Sequence, residues 1–485
     1  MSRATEGLKP GSVWKYFEEI SQIPRGSKNE KQIAAYVMKK AQEMGLEAQQ
    51  DKSMNVVVRK PASAGLESRP MVCLQGHLDM VCEKNKDKVH DFEKDPIQIV
   101  RDGNVLRADG TTLGADNGIA VATNLAIMED RSLEHGPLEF LFTVDEETGL
   151  TGASNLKAGF VQSKTLLNLD SEEEGALYVG CSGGRNTIGT WNAKLENAPR
   201  ASKAVAVHVK GLKGGHSGLE IDKGRGNSIK ILNRVLLAVG EHGARLAHIE
   251  AGNKSNAIPR EAEALVFVPA PKMRQVKKVV AQFDTTIKAE LASVEPDLSI
   301  TVEEKKDFKK GKVLKKQQQE MVLKTIAGLP HGVTKMSADI PGLVETSTNL
   351  AIIRMEKNKI VVTTSQRSSV ASEILEILET VRCVFELGCA KVQHTEGYPG
   401  WKPNLESAIL KVAKSTYQSL YGKEPAIKAI HAGLECGIIG QKYPGMDMVS
   451  FGPTLEGVHS PDEKIYIDTV EKFWKYLLAI LRNVV

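Results

Sequence analysis

The chain of 485 residues is 41% hydrophobic, enough to bury a large core, and its length fits two domains. Its 64 basic and 60 acidic residues leave a net charge of +4, which gives no footing for a nucleic-acid or acidic-membrane partner. Six cysteines, at positions 73, 82, 181, 383, 389 and 436, form no close CxxC pair, which argues against a zinc ribbon or a disulfide framework.

The N-terminal MSRATEGLKPGSVWKYFEEI lacks the apolar core of a signal peptide. No apolar run is long enough to span a bilayer, so a cytoplasmic location without membrane contact is expected. SVWKYFEEISQI and NEKQIAAYVMKKAQEMG predict two amphipathic helices across 12–45, broken by PRGS. Strands are expected at MNVVVRK (54–60), MVCLQG (71–76), NVLRAD (104–109), LEFLFTV (138–144) and TLLNLD (165–170). TTLGADNGIAVATNLAIMED passes from a glycine-rich turn into a long helix. Continuous apolar runs that end in acidic residues suit buried parallel strands, and their alternation with helices argues an α/β mixed sheet with helices on both faces.

After about residue 184 the pattern changes. KAVAVHVKGLK, EAEALVFVPA, KIVVTTSQRSS and CAKVQHTEGYPG read as half-exposed antiparallel strands, with helices at SIKILNRVLLAVGEHG and MRQVKKVVAQFDTTIKAELASV. From about 397 the first style returns with SAILKVAKSTYQSLYG and DMVSFGP. The expectation is one α/β domain (1–184 plus 397–485) interrupted by an inserted α+β domain (185–396). The run KKDFKKGKVLKK (305–316) reads as a solvated face rather than a polyanion site.

Chemistry-bearing residues stand at or just past the carboxyl ends of the expected α/β strands: His77 and Asp79, Asp116, Asp145 to Glu147, Asp170, and finally His459 in FGPTLEGVHSPDE. Open α/β sheets bind ligands at that edge. Each residue alone has a plain structural reading. Together, several carboxylates at one edge would repel unless cations neutralised them. Two histidines with carboxylates suit zinc, whereas Mg²⁺ or Ca²⁺ would favour oxygen alone. Asp79, two residues after His77 on an extended segment, returns to the same face and is placed to accept the second ring N–H.

HLDM, TLGADNG, TVDEETG, LLNLDSEEEG and GVHSPDE, in this order, resemble the zinc aminoacylase and dipeptidase family with its two-metal site. KGLKGGHSG, SNAIPRE, GYPGW, HAGLECG and MDMVSFGPT extend the likeness nearly end to end. The resemblance implies that His77, Asp116 and Asp170 bind one Zn²⁺, and that Asp116, Glu147 and His459 bind a second, Asp116 bridging. Co²⁺ or Mn²⁺ are accepted substitutes. It implies Glu146 as general base, with Asp79 supporting catalysis through His77. Because strand neighbours point oppositely, Glu146 and Glu147 must then sit in a turn beyond the strand end. A cis peptide at Asp116–Asn117 is a further implied trait.

In the insert, by the same likeness, His216 would polarise the substrate carbonyl or stabilise the oxyanion, and Asn256 and Arg367 would contact substrate. Gly433 and Glu435 would lie near the pocket, Glu435 at a free amino group. Turn and edge-strand readings stay open for His216 and Arg367. Asp145, Cys73 and Cys82 are read as structural, and His431 as an ordinary histidine with the best claim to be an exception. The implied activity is hydrolysis of unblocked dipeptides, Xaa-His types among them. The alternatives are a deacylase or carboxypeptidase using the same centre, or a noncatalytic binding protein. A homodimer is expected by analogy.

Overall fold

The computed structural model describes residues 4–306, 308 and 311–485. Asp307, Lys309 and Lys310 of the basic run lie outside the described residues, and the lysines on either side of them are half-exposed or exposed. The chain divides into two compact units. One comprises Met1–Cys181, Pro403–Ala429 and Leu434–Val485, the other Ser182–Lys402 and Ile430–Gly433.

The first unit opens with α1 (Gly11–Ser21), which follows Pro10 and buries Val13, Trp14, Phe17 and Ile20 at helical spacing. After α2 (Lys31–Glu43) come β1 (Glu47–Gln50), β2 (Val56–Lys60) and β3 (Val72–His77). Then follow α3 (Ala115–Glu129), β4 (Leu138–Thr143), the single turn α4 (Glu146–Gly149), β5 (Thr165–Asn168) and β6 (Ala176–Cys181). Every residue of β3 and β4 is buried, as expected where both faces of a sheet are covered. Nearly all of α3 is buried as well, which suits its almost unbroken apolar sequence.

The second unit holds β7 (Gly183–Asn192), β8 (Ser202–Lys210), α5 (Ser228–Gly240), β9 (Arg245–Ala251), β10 (Ala262–Pro269), α6 (Met273–Glu290) and β11 (Ser299–Glu304). It continues with α7 (Lys316–Gly328), β12 (Val344–Glu356), β13 (Lys359–Ser368), α8 (Ala371–Leu387) and β14 (Lys391–His394). The chain then returns to the first unit with α9 (Ala408–Tyr421), β15 (Ala426–Ile430), α10 (Glu435–Lys442), β16 (Asp447–Ser450) and α11 (Ile467–Asn483).

The sheet of the first unit runs β1-β2-β4-β3-β5-β16-β6-β15. Its centre, β4-β3-β5-β16, is parallel, and antiparallel pairs flank it, so the sheet is mixed as expected. NVLRAD does not join it. Val105–Ala108 instead pairs with Ile99–Asp102 and Lys464–Tyr466 in a small separate sheet, which brings the segment after His459 alongside the segment before Asp116.

The antiparallel sheet of the second unit runs β11-β8-β10-β9-β12-β13-β7-β14, with a short strand at Gly332–Met336 added beside β12. It consists of two β-α-β-β-α-β halves. One is β8-α5-β9-β10-α6-β11. The other, β7-α7-β12-β13-α8-β14, is split by the first after its opening strand. Each half has the strand order 4-1-3-2, and the halves meet at their second strands, β9 and β12, through Glu250↔Arg354 and Ala251↔Ile353. The helices follow the same palindrome, packing in the row α6-α5-α7-α8. Val235, Val276, Val322 and Val381 from the four helices enter one core with Val207, Val266, Ile353 and Val362 of the strands.

Candidate active site

His77 ends β3, and its ring is almost wholly buried. Nε2 lies 3.1 Å from Asp116 Oδ1 and 3.3 Å from Asp170 Oδ1, while Nδ1 lies 3.3 Å from Asp79 Oδ1. The second oxygen of Asp116 is 3.1 Å from His459 Nε2, which is itself 3.0 Å from Glu147 Oε2. Two groups able to hold a cation result, His77–Asp116–Asp170 and Asp116–Glu147–His459, and they share Asp116. His77, Glu146 and Glu147 form a further such group. The peptide joining Asp116 to Asn117 is cis, in agreement with the expectation.

The side chains fit divalent cations. Glu147 Oε1 is buried without a hydrogen-bond partner, a costly state that a cation would relieve. The cluster's proton affinities are shifted by its own members. Hydrogen bonds to Asp116 and Glu147 push His459 up to about 11. Burial pushes His77 down, yet Asp170, Asp116 and Asp79 outweigh it and hold the ring well above its ordinary value. Burial raises Asp170 to about 6 against the pull of His77, and it raises Glu146 well above the carboxylate range.

Asp79 does more than face His77. Its Oδ1 accepts the Glu146 N–H at 3.0 Å, and its Oδ2 accepts the Glu147 N–H at 3.2 Å and the Ser27 hydroxyl at 2.8 Å. The two glutamates escape strand alternation because Asp145 is left-handed (φ 50°) and starts α4. Asp145 is tied into the turn: its carboxylate accepts the Thr148 and Thr151 hydroxyls, and its N–H donates to Glu30 Oε1 at 2.9 Å.

Asn117 and Glu30 escaped the sequence reading. Asn117 Oδ1 accepts the His77 N–H at 3.2 Å, and its Nδ2 donates to the Leu169 carbonyl at 2.9 Å, so one amide ties two ligand-bearing strand ends together. It fits only because Gly76 has no side chain: a Cβ there would sit 2.4 Å from Asn117 Oδ1. The sequence signal for Asn117 was its place in GADNG; Glu30, at the entry to α2, gave none.

Glu435, the first residue of α10, has no exposed surface. Its Oε2 accepts from Gln75 Nε2 and the Thr143 hydroxyl, both at 2.6 Å, and burial pushes its carboxyl up to about 7. It is engaged among the strand residues of the first unit rather than open to solvent.

Within the second unit, His216 Nδ1 accepts backbone N–H groups from Gly218 (3.3 Å) and Leu219 (3.1 Å), which leaves the ring proton on Nε2. Burial and the nearby Arg367 push its pKa down to about 4, with Glu220 opposing. Gly218 has no room for a Cβ, which would meet the His431 carbonyl oxygen at 2.1 Å. His431 itself is buried, its Nε2 2.7 Å from the Ser347 hydroxyl.

Arg367 is not a surface arginine of an edge strand. It lies on β13 between two neighbours, is 6% exposed, and donates to the Tyr398 hydroxyl at 2.9 Å. Gly433 packs against the same tyrosine ring, where a Cβ would come within 2.8 Å. Asn256 is exposed and, with His216, lines a cavity of about 760 Å³.

Residues 73–483 match peptidase family M20/M25/M40. The chain is 41% identical over 478 residues to the cytosol non-specific dipeptidase of Escherichia coli (strain K12), covering 98% of each chain. It superposes on the crystal structure of aminoacylhistidine dipeptidase from Vibrio alginolyticus with a TM-score of 0.91 at 41% identity, covering 100% of this chain and 98% of that one. A tripeptidase from Staphylococcus aureus shares the fold at 16% identity, with a TM-score of 0.62. On the extent of these matches, the chain belongs to peptidase family M20/M25/M40.

Proposed function

We propose that this protein hydrolyses unblocked dipeptides, Xaa-His types among them, with two zinc ions per chain. The observation that carries the reading is the pair of three-residue groups sharing Asp116, with Glu146 directly beside Glu147. Its support from relatives is the 41% identity to a chain named a non-specific dipeptidase. His77, Asp116 and Asp170 would hold one zinc, and Asp116, Glu147 and His459 the other, with Co²⁺ or Mn²⁺ as substitutes. When bound, the pair would polarise the scissile carbonyl and make water a stronger nucleophile.

The rest falls to the chain's own groups. Glu146 takes a proton from the attacking water and returns it to the leaving amine. Burial raises its pKa, the direction that makes a carboxylate a better proton acceptor. Asp79 fixes the His77 ring and, by the same carboxylate, the turn that carries Glu146. His216, neutral and with its proton on Nε2, is a donor for the substrate carbonyl oxygen. Arg367 and Asn256 would take polar groups of the substrate, with Gly433 leaving them space. Glu435 is read as a support beneath the site, since Gln75 and Thr143 engage it.

Residues 1–184 with 397–485 are read as the catalytic domain, and 185–396 as the lid. The cytoplasm is the proposed location, and no described helix is long and apolar enough to cross a membrane. If a homodimer forms, its chains carry His216, Arg367 and Tyr398 together on one polypeptide.

The test is hydrolysis of β-Ala-His, Gly-Gly and an N-acetyl amino acid, after chelation and after return of zinc. Cleavage of free dipeptides only with metal, lowered ~10²–10⁴-fold by Glu146→Ala, is expected. Turnover of the acetylated substrate alone would move the protein to the deacylases. No turnover despite two bound metals would leave a binding role.

A further inference from the structure

Arg25, between α1 and α2, is 2% exposed, and its guanidinium is spent on backbone carbonyls. Nη1 donates to Leu78 (3.1 Å) and Asp79 (3.0 Å), and Nη2 donates to Gly114. Glu463, four residues past His459, is also 2% exposed and accepts four consecutive backbone N–H groups. Oε2 takes those of Leu113 (2.7 Å) and Gly114 (3.0 Å), and Oε1 takes those of Ala115 (2.7 Å) and Asp116 (3.3 Å). Gly114 is thus held by its carbonyl from one side and by its N–H from the other.

The arginine seat is built around the guanidinium. A Cβ on Gly114, which is left-handed at φ +69°, would lie 2.6 Å from Nη2, and one on Gly118 would lie 2.5 Å from it. Burial pushes the guanidinium pKa down, and Glu463 and Asp79 oppose that, so the cation is stabilised by the anion sharing its loop. Neither side chain hydrogen-bonds a candidate ligand's side-chain atoms. Between them they join four segments: the α1–α2 connection at Arg25, residues 78–79, residues 113–116 and the segment of Glu463.

The geometry points to Arg25 and Glu463 as a buried clamp of positioning residues that fixes Asp116, the shared ligand, relative to His77 and His459, and so sets the affinity and coordination of the metal pair. The inference rests on the two-metal reading above. The clamp's hydrogen bonds all go to backbone groups, so its action is geometric. A half-removed clamp leaves buried backbone groups without partners, and loosened support of this kind typically weakens metal binding 10–100-fold.

Three variants of the full chain separate the possibilities. Arg25→Lys keeps the charge but loses the fork that spans both loops. Glu463→Gln keeps the shape but turns an acceptor into a donor facing N–H groups. Gly118→Ala leaves both clamp residues in place and presses chiefly on the guanidinium, 2.5 Å from the added Cβ against 3.4 Å for Ile20 Cδ1, which keeps the test open if the first two fail to fold. Metal-free protein is checked by circular dichroism and thermal melting, Zn²⁺ affinity is measured against a competing chelator, and Co²⁺ loading is followed by visible absorption. Folded variants should bind zinc at least tenfold more weakly than wild type and give shifted Co²⁺ bands. Zinc affinities within twofold of wild type with unchanged Co²⁺ bands, in any folded variant, would overturn the clamp while leaving the metal reading intact. Wild-type protein that takes up no metal pair would sink the reading and the clamp together.

Discussion

His216 owes its protonation state to immediate neighbours: two backbone N–H groups occupy Nδ1, and Arg367 adds to burial in keeping the ring neutral. Replacing Arg367 with Gln removes the repelling cation, so the His216 pKa should rise from about 4 towards 6.5, with Glu220 then helping the charged form. An NMR titration of the ring Cε1 proton reads this directly, and an unchanged midpoint would assign the depression to burial alone. The sign for stability follows. The folded pKa lies below the unfolded one, so the unfolded chain binds the extra proton first, and His216 disfavours folding as pH falls from about 6.5 towards 4. Asp79→Asn should cost 10–100-fold in kcat, because it disturbs His77 and the Glu146 turn together, which steady-state kinetics at saturating zinc would measure. His77, Asp116, Asp170, Glu147 and His459 stood out as acidic and histidine residues near strand ends, the family resemblance singled them out, and the structure brings them together. Arg25, Glu30 and Asn117 did not stand out, because their work is done on the backbone of distant residues, and a turn asparagine or a helix-entry glutamate looks the same whatever it holds.

Among the elements, the parallel strands β3, β4 and β5 were readable as unbroken apolar runs because both of their faces are buried. The insert was harder. Its longest strand, β12, opens VETSTN and escaped notice, although those polar residues are buried in the sheet. Gln366 of β13 donates to Thr348, and Asn349 to the carbonyls of Ser255 and Ala257, so polar positions in this sheet are satisfied sideways rather than by solvent. Where β3 meets α3, the contact depends on a missing side chain. Gly76→Ala would drive a methyl into Asn117 Oδ1 and the Ala120 Cβ, and should lower stability by about 1–3 kcal/mol. Thermal melting with and without zinc distinguishes the outcomes: a loss seen only in the zinc-loaded protein would mean that α3 shifts freely and the cost lies in the ligands alone.

For the whole molecule, the palindromic sheet of the second unit matters most for assembly. Joining β9 to β12 uses one edge of each half within the chain, leaving β11 and β14 as its outer strands. His216, Arg367, Tyr398 and His431 meet without a second copy. Activity per chain, followed on dilution through any dimer dissociation seen by sedimentation, tests whether they serve their own chain: a constant value would mean that they do, and a fall in step with dissociation would mean that a partner completes the site. The order of the first sheet carries a different consequence, one of timing. β16 lies between β5 and β6, yet the ribosome makes it only after the whole insert. Until residues 447–450 emerge, the strand that pairs with both β5 and β6 is missing, and His459 and Glu463 follow later still. A nascent chain can fold its pieces in turn, but the Asp116–Glu147–His459 group stays incomplete until synthesis is nearly over.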